Sequence, residues 1–165
     1  MSIEIIASEE IVDGEEVTIW RLNKDEGTVV VNLNKLLDNG ICECYWLGEK
    51  HHYLQVMHVD WTGLEVWAIV SIYGVIIRKY VKSVEHFIEK YYLFIVEMSG
   101  VDLGEEAWEY GLEAEDCRMA VINRFGNFTI PPEYDSIKYY DDENIFYTEY
   151  KGIKYKFSMD GKIID

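Results

Sequence analysis

Apolar and polar positions alternate along most of the chain in short runs, and the runs are separated by polar turns that close on a glycine. Alternation puts successive side chains on opposite faces of a strand. The pattern therefore predicts an all-β, mainly antiparallel fold of consecutive β-hairpins with at most one or two short helices. The stretch RMAVINRFGNFTIPPEYDSI at 118–137 is the clearest instance. It alternates up to Asn123, turns through Arg124, Phe125 and Gly126, and alternates again through Phe128 and Ile130. A glycine at the end of such a turn supplies the positive φ that closes a hairpin. Pro131 and Pro132 then predict the end of the second strand, because neither can donate to a ladder. The same reasoning predicts strands at 17–22 and 28–33 around Gly27, at 41–47 after Asn39-Gly40, and at 51–59. Further strands follow at 64–71 and 75–80 around Gly74, and at 84–88 and 91–98. An edge strand through Ile3, Ile5 and Ile6 precedes a turn at Asp13-Gly14.

Aligned on their last residue, the segments WRLNKDEG, WAIVSIYG, MAVINRFG and KYKFSMDG end at Gly27, Gly74, Gly126 and Gly161, and an apolar strand follows each. They begin at Trp20, Trp67, Met119 and Lys154. A unit recurring at uneven spacing is the signature of a repeat array with loop insertions. Trp20 and Trp67, at the same repeat position, are most simply core residues filling the layer between hairpins. The strongest copy, Asn123-Arg124-Phe125-Gly126 with Ile130-Pro131-Pro132 and Tyr134-Asp135-Ser136-Ile137, resembles the core of the WG repeats of bacterial proteins. The Trp-Gly pair itself is replaced: Arg21 follows Trp20, Ala68 follows Trp67, Ala120 follows Met119, and Tyr155 follows Lys154. The resemblance implies a β-rich array that binds rather than catalyses. Within a single domain, 1–165, it divides the chain into units at 17–47, 64–100, 116–150 and 151–165. A continuous curved sheet, a closed barrel and a solenoid all satisfy this pattern.

One segment breaks the rhythm. The acidic insertion at 101–116 is rich in Glu and Ala, which predicts a short helix at 103–110, capped by Asp102 and ended by Gly111. Glu105, Glu106, Glu109, Glu113, Glu115 and Asp116 concentrate negative charge around Trp108 and Tyr110. Two readings stand. Trp and Tyr dominate interface energetics while charge steers encounter, so Glu105, Glu106, Trp108, Glu109 and Tyr110 form an anchor set for a basic partner. Alternatively, Trp108 and Tyr110 pack onto the sheet while the carboxylates face water.

Charge strengthens the first reading. Carboxylates outnumber Lys and Arg 31 to 15, for a formal net charge of −16. Phosphate-backbone and anionic-lipid binding both need local positive charge, so nucleic acid and membrane surfaces are excluded as expected partners, and a basic protein is favoured. Acidity also keeps exposed strands from pairing, which is its plainest role. Homo-oligomers remain compatible with the pattern, because a repeat stack exposes edges that need capping. No run is long and apolar enough to span a bilayer, and MSIEIIASEE has acids where a secretory leader needs bases. With an odd cysteine count (Cys42, Cys44, Cys117), the expectation is a reducing, cytoplasmic location.

A competing chemistry lies in Cys42, Cys44, His51, His52 and His58. Residues two apart share a face of a strand, so the two thiols could converge with a histidine across a hairpin at 48–50 and hold zinc or serve a hydrolase. Buried thiols with histidines near a turn are the plainer explanation of the same residues. No GxSxG elbow, P-loop or dinucleotide fingerprint is present. The sequence therefore predicts a non-catalytic, protein-binding β-repeat protein without a cofactor, presenting an acidic surface in the manner of an immunity or antitoxin protein.

Overall fold

The computed structural model describes residues 2–24 and 28–164. It consists of four antiparallel sheets, and within each sheet the paired strands are consecutive in sequence, as the alternation predicts. The chain divides into two compact units, Met1–Tyr80 and Val81–Asp165.

The N-terminal unit begins with a three-stranded meander of β1 (Ile3–Val12), β2 (Glu15–Lys24) and β3 (Val29–Asn32). Asp13 and Gly14, with φ of 51° and 83°, form the two-residue turn between the first pair. Helix α1 (Leu33–Leu37) follows. Its cap is Asn32, whose side chain accepts a hydrogen bond from the Lys35 amide at 3.1 Å. A four-stranded meander of β4 (Ile41–Leu47), β5 (Tyr53–Val59), β6 (Glu65–Ser71) and β7 (Ile76–Val81) completes the unit. Along β5 burial alternates strictly, with Leu54, Val56 and His58 turned inward. Leu22, Leu33, Leu37, Leu54, Val56 and Ala68 are fully buried in one core fed by both sheets and α1.

The C-terminal unit repeats the scheme with β8 (Ser83–Ile88), β9 (Leu93–Ser99), β10 (Cys117–Asn123) and β11 (Phe128–Tyr134) in one sheet. Its second sheet contains β12 (Ser136–Tyr140), β13 (Ile145–Tyr150), β14 (Ile153–Phe157) and β15 (Ile163–Ile164). Val121, Ile130, Ile137, Phe146 and Phe157 pack in its core. Phe146 is wholly buried, and deleting a ring of that kind costs about 3–5 kcal/mol. Trp67 is half-buried on β6, and Trp20 is half-buried against the N-terminal core, consistent with packing roles.

The recurrent turn has a specific structure. Gly74, Gly126 and Gly161 have φ of 80°, 83° and 80°, and each donates its amide to the carbonyl three residues back, at 3.0 Å. The residue three before the glycine supplies a second device. Ser71 Oγ accepts from the amides of Tyr73 and Val75, Asn123 Oδ1 from those of Phe125 and Asn127, and Ser158 Oγ from that of Lys162. This is a type I turn closed by a left-handed glycine bulge, with a side chain standing in for backbone partners. Asp60 and Gly63 (φ 88°) build the same turn between β5 and β6. Gly27 lies outside the described residues, although β2 and β3 flank it as an antiparallel pair.

Several expectations need correction. Pro131 and Pro132 do not end the strand: β11 continues to Tyr134. It is an edge strand, and its pairing with β10 jumps from Val121–Ile130 to Met119–Tyr134, so the prolines occupy an irregularity where no donor is needed. The single helix at 103–110 is instead two short turns, α2 (Gly100–Leu103) and α3 (Glu106–Glu109). Ser99, not Asp102, caps α2, accepting from the Asp102 amide at 3.1 Å. With α1 there are three short α-helices among the described residues, and Glu89–Tyr91 adds a single 3-10 turn, against the one or two short helices expected.

Candidate functional site

The acidic insertion joins β9 to β10 and is closed at its base by backbone hydrogen bonds. The Gly100 amide donates to the Asp116 carbonyl at 2.9 Å, and the Val101 amide to that of Ala114 at 3.2 Å. A Cβ at residue 100 would overlap the Glu113 carbonyl oxygen, so the returning chain can pass this close only over a glycine. Leu103 and Ala107 are buried beneath the insertion. That leaves the opposite side of α3 to solvent, and Trp108 stands there 89% exposed, flanked by exposed Glu105, Glu106 and Glu109. The packing alternative fails for this residue. It holds for Tyr110, which is half-buried and meets the Phe128 ring edge-on at 5.8 Å. Gly111 (φ 67°) turns the chain away after α3.

Tyr110 also lines a groove of about 430 Å³ that the sequence did not point to. Tyr134, Tyr150 and Tyr155 line it from β11, β13 and β14, with Arg118 from β10 and Glu133. Arg118 lies 5.1 Å from the Tyr150 ring centroid and donates to the Cys117 carbonyl at 2.8 Å. Hydrogen bonding to Arg118, then to Lys151, holds the Tyr150 phenol below its ordinary pKa. Burial, then the Glu133 carboxylate and Tyr155, pushes the Tyr134 phenol up. Such a groove offers aromatic faces together with one guanidinium and one carboxylate. Only the alternation along three separate strands could have announced it, and that signal does not say which strands converge.

The Cys/His cluster does not assemble. Cys44 is buried while Cys42 is exposed, because pairing with β5 shifts between Ile41 and Glu43. The bulge inserts one residue and cancels the two-residue rule that would have put both thiols on one face. Burial pushes the Cys44 thiol up to about 12, away from the thiolate that a metal or a nucleophile requires. His51 is stacked on Trp46, with centroids 4.7 Å apart and planes 5° from parallel, and His52 is exposed. His58 is wholly buried with both ring nitrogens engaged: Nε2 meets the Lys79 carbonyl at 2.7 Å and Nδ1 meets Asn39 Nδ2 at 2.9 Å. A carbonyl can only accept, so Nε2 carries the proton and Nδ1 accepts from the amide. Burial, the leading cause, holds this imidazole below its ordinary pKa and keeps it neutral. Among the described residues, no three His, Cys, Asp or Glu side chains stand together as a metal would need.

No helix among the described residues is long and apolar enough to cross a membrane. Protein-family models, curated proteins and solved structures give no match to the chain.

Proposed function

We propose that this is a non-catalytic, cytoplasmic binding protein, a divergent WG-repeat array that presents its acidic insertion to a basic protein partner in the manner of an immunity or antitoxin protein. The observation that carries the reading is Trp108, 89% exposed among Glu105, Glu106 and Glu109 on a backbone pinned at its base. An indole left in water on a rigid support is a preformed anchor. Burying one is worth about 2–3 kcal/mol, and the surrounding carboxylates steer a cationic surface towards it. The tyrosine-lined groove reached through Tyr110 extends the same surface. The recurring capped glycine turn supports the repeat assignment, since Ser71, Asn123 and Ser158 fill the same role three residues before their glycines.

The test is capture of partners from native lysate on immobilised wild-type protein, on W108A, and on E105Q/E106Q/E109Q, at low and high salt. The reading expects a basic protein retained by the wild type at low salt, weakened about tenfold or more by either variant and released by salt. Retention that is unchanged in both variants, or no basic protein at low salt, refutes it.

A further inference from the structure

The tyrosine-lined groove of the C-terminal unit holds two opposite charges that the chain itself leaves without ion-pair partners. Arg118 lies over the Tyr150 ring and hydrogen-bonds to that side chain and to the Cys117 carbonyl, while Glu133 is exposed. Among the described residues neither forms an ion pair, although the chain carries 31 carboxylates. They come from paired strands, one residue before each member of the Met119–Tyr134 pair, and both line the groove. Lys151 meets the Tyr150 ring at 5.3 Å but is not part of the lining. A third polar group at the groove also lacks a partner. Tyr134 is only 8% exposed and packs edge-on against Tyr155 at 6.4 Å and Phe157 at 5.6 Å, yet its hydroxyl makes no hydrogen bond among the described residues. A buried phenol normally finds one. Ile153, Ile163 and the Tyr155 ring add apolar walls that are left open to water.

We propose that this groove binds a free amino acid with an apolar or aromatic side chain, its carboxylate on Arg118, its ammonium on Glu133 and its side chain against Tyr155, Ile153 and Ile163. One guanidinium and one carboxylate together select a zwitterion. A simple anion meets Arg118 but is opposed by Glu133, a simple cation meets the reverse, and an uncharged ligand leaves both charges desolvated without a partner. The arginine fork matches a carboxylate with two parallel hydrogen bonds, and stacking on Tyr150 holds its plane. The Tyr134 hydroxyl supplies a further donor to that carboxylate. A volume of about 430 Å³ suits one such molecule. The site uses none of Glu105, Glu106, Trp108 and Glu109, so it stands or falls separately from the proposed partner.

Calorimetric titration of the whole chain with L-phenylalanine tests it, with hydrocinnamate and phenethylamine as analogues that lack the ammonium and the carboxylate respectively. The expected result is saturable binding of phenylalanine with Kd below about 1 mM, and binding of either analogue weaker by about tenfold or more. Glu133→Gln should weaken phenylalanine about tenfold or more yet leave hydrocinnamate no weaker, because that ligand has no ammonium to lose. Arg118→Gln should do the same to phenylalanine and leave phenethylamine no weaker. Tyr134→Phe should weaken phenylalanine about fivefold without lowering the melting temperature, since the hydroxyl it removes has no partner in the protein. Trp108→Ala should bind phenylalanine as the wild type does. The proposal is overturned by the absence of saturable heat at about 10 mM phenylalanine, by either analogue binding as tightly as phenylalanine, or by unchanged affinity in both E133Q and R118Q.

Discussion

The turns closed by Gly74 and Gly161 are locally the same object in different surroundings. Both glycines have φ of 80°, both donate to a carbonyl three residues back, and both turns begin with a serine whose hydroxyl accepts a backbone amide. A methyl group at residue 74 would meet the Val31 side chain at 3.3 Å, and a side chain can yield a few tenths of an ångström. At residue 161 it would run into the backbone carbonyl of Thr129 on β11, which cannot yield without moving a strand. Gly63, in another such turn, has open space around it. Conformation asks for glycine at all three positions; packing forbids a side chain at only one.

The largest expected effect sharpens this contrast. Gly161→Ala combines the left-handed penalty with a displaced edge strand and should cost about 3 kcal/mol, against about 1–2 for Gly74→Ala and about 1 for Gly63→Ala. Urea unfolding of the three variants checks the order, and equal losses would show that turn conformation alone sets the cost. Next comes pH, which should separate the two units. The buried histidine belongs to the N-terminal unit, and its folded pKa lies below the ordinary value of 6.5. The unfolded chain therefore takes up the proton first, so stability is level above about 6.5 and falls as pH drops below it. His58→Gln should remove that dependence in the interval before carboxylates protonate, as read from the urea midpoint against pH.

Smaller effects follow. Asn123→Ala removes an acceptor for two turn amides and should cost about 1 kcal/mol, as should Ser71→Ala in the matching turn of the other unit. Thermal melts of both test whether the capping side chain is equivalent in the two settings. Smallest of all, Trp108→Ala should leave the melting temperature within measurement error, since the indole is 89% exposed, while it weakens the proposed partner capture about tenfold or more.

Much of the fold was legible from the alternation. The strand predicted at 41–47 is β4, and those predicted at 17–22, 28–33, 51–59, 64–71, 75–80, 84–88 and 91–98 depart from expectation by a residue or two at their ends, whereas β1 and β11 run several residues further than expected and β12 and β13 were not placed. The recurring turn was legible at Gly74, Gly126 and Gly161, while its type and its further occurrence at Asp60 depend on the side chain three residues before each glycine, at Ser71, Asn123 and Ser158. Helix α1 was missed because 33–37 continues an apolar run out of β3, and the only cue against a strand is the cap at Asn32. The misjudged cap at Asp102 shows a related limit, since Ser99 and Asp102 are both good caps and only the backbone path selects one. For the candidate site, the sequence marked Trp108 and its carboxylates but left open whether the indole faced inward or outward.

What the sequence determined by itself is whatever depends on neighbours a few residues away: period-two strands, glycine turns with their capping side chains, and an acidic interruption between β9 and β10. Only the tertiary structure decided which side chains meet. One bulged residue in β4 put Cys42 and Cys44 on opposite faces, and buried Ala107 and Leu103 turned Trp108 to solvent. Chain folding also gathered Arg118, Glu133 and four tyrosines around one groove. The physical reason is range. Turn and strand preferences are settled by bonds within one hairpin, whereas a binding surface is settled by register and burial summed over strands far apart in sequence.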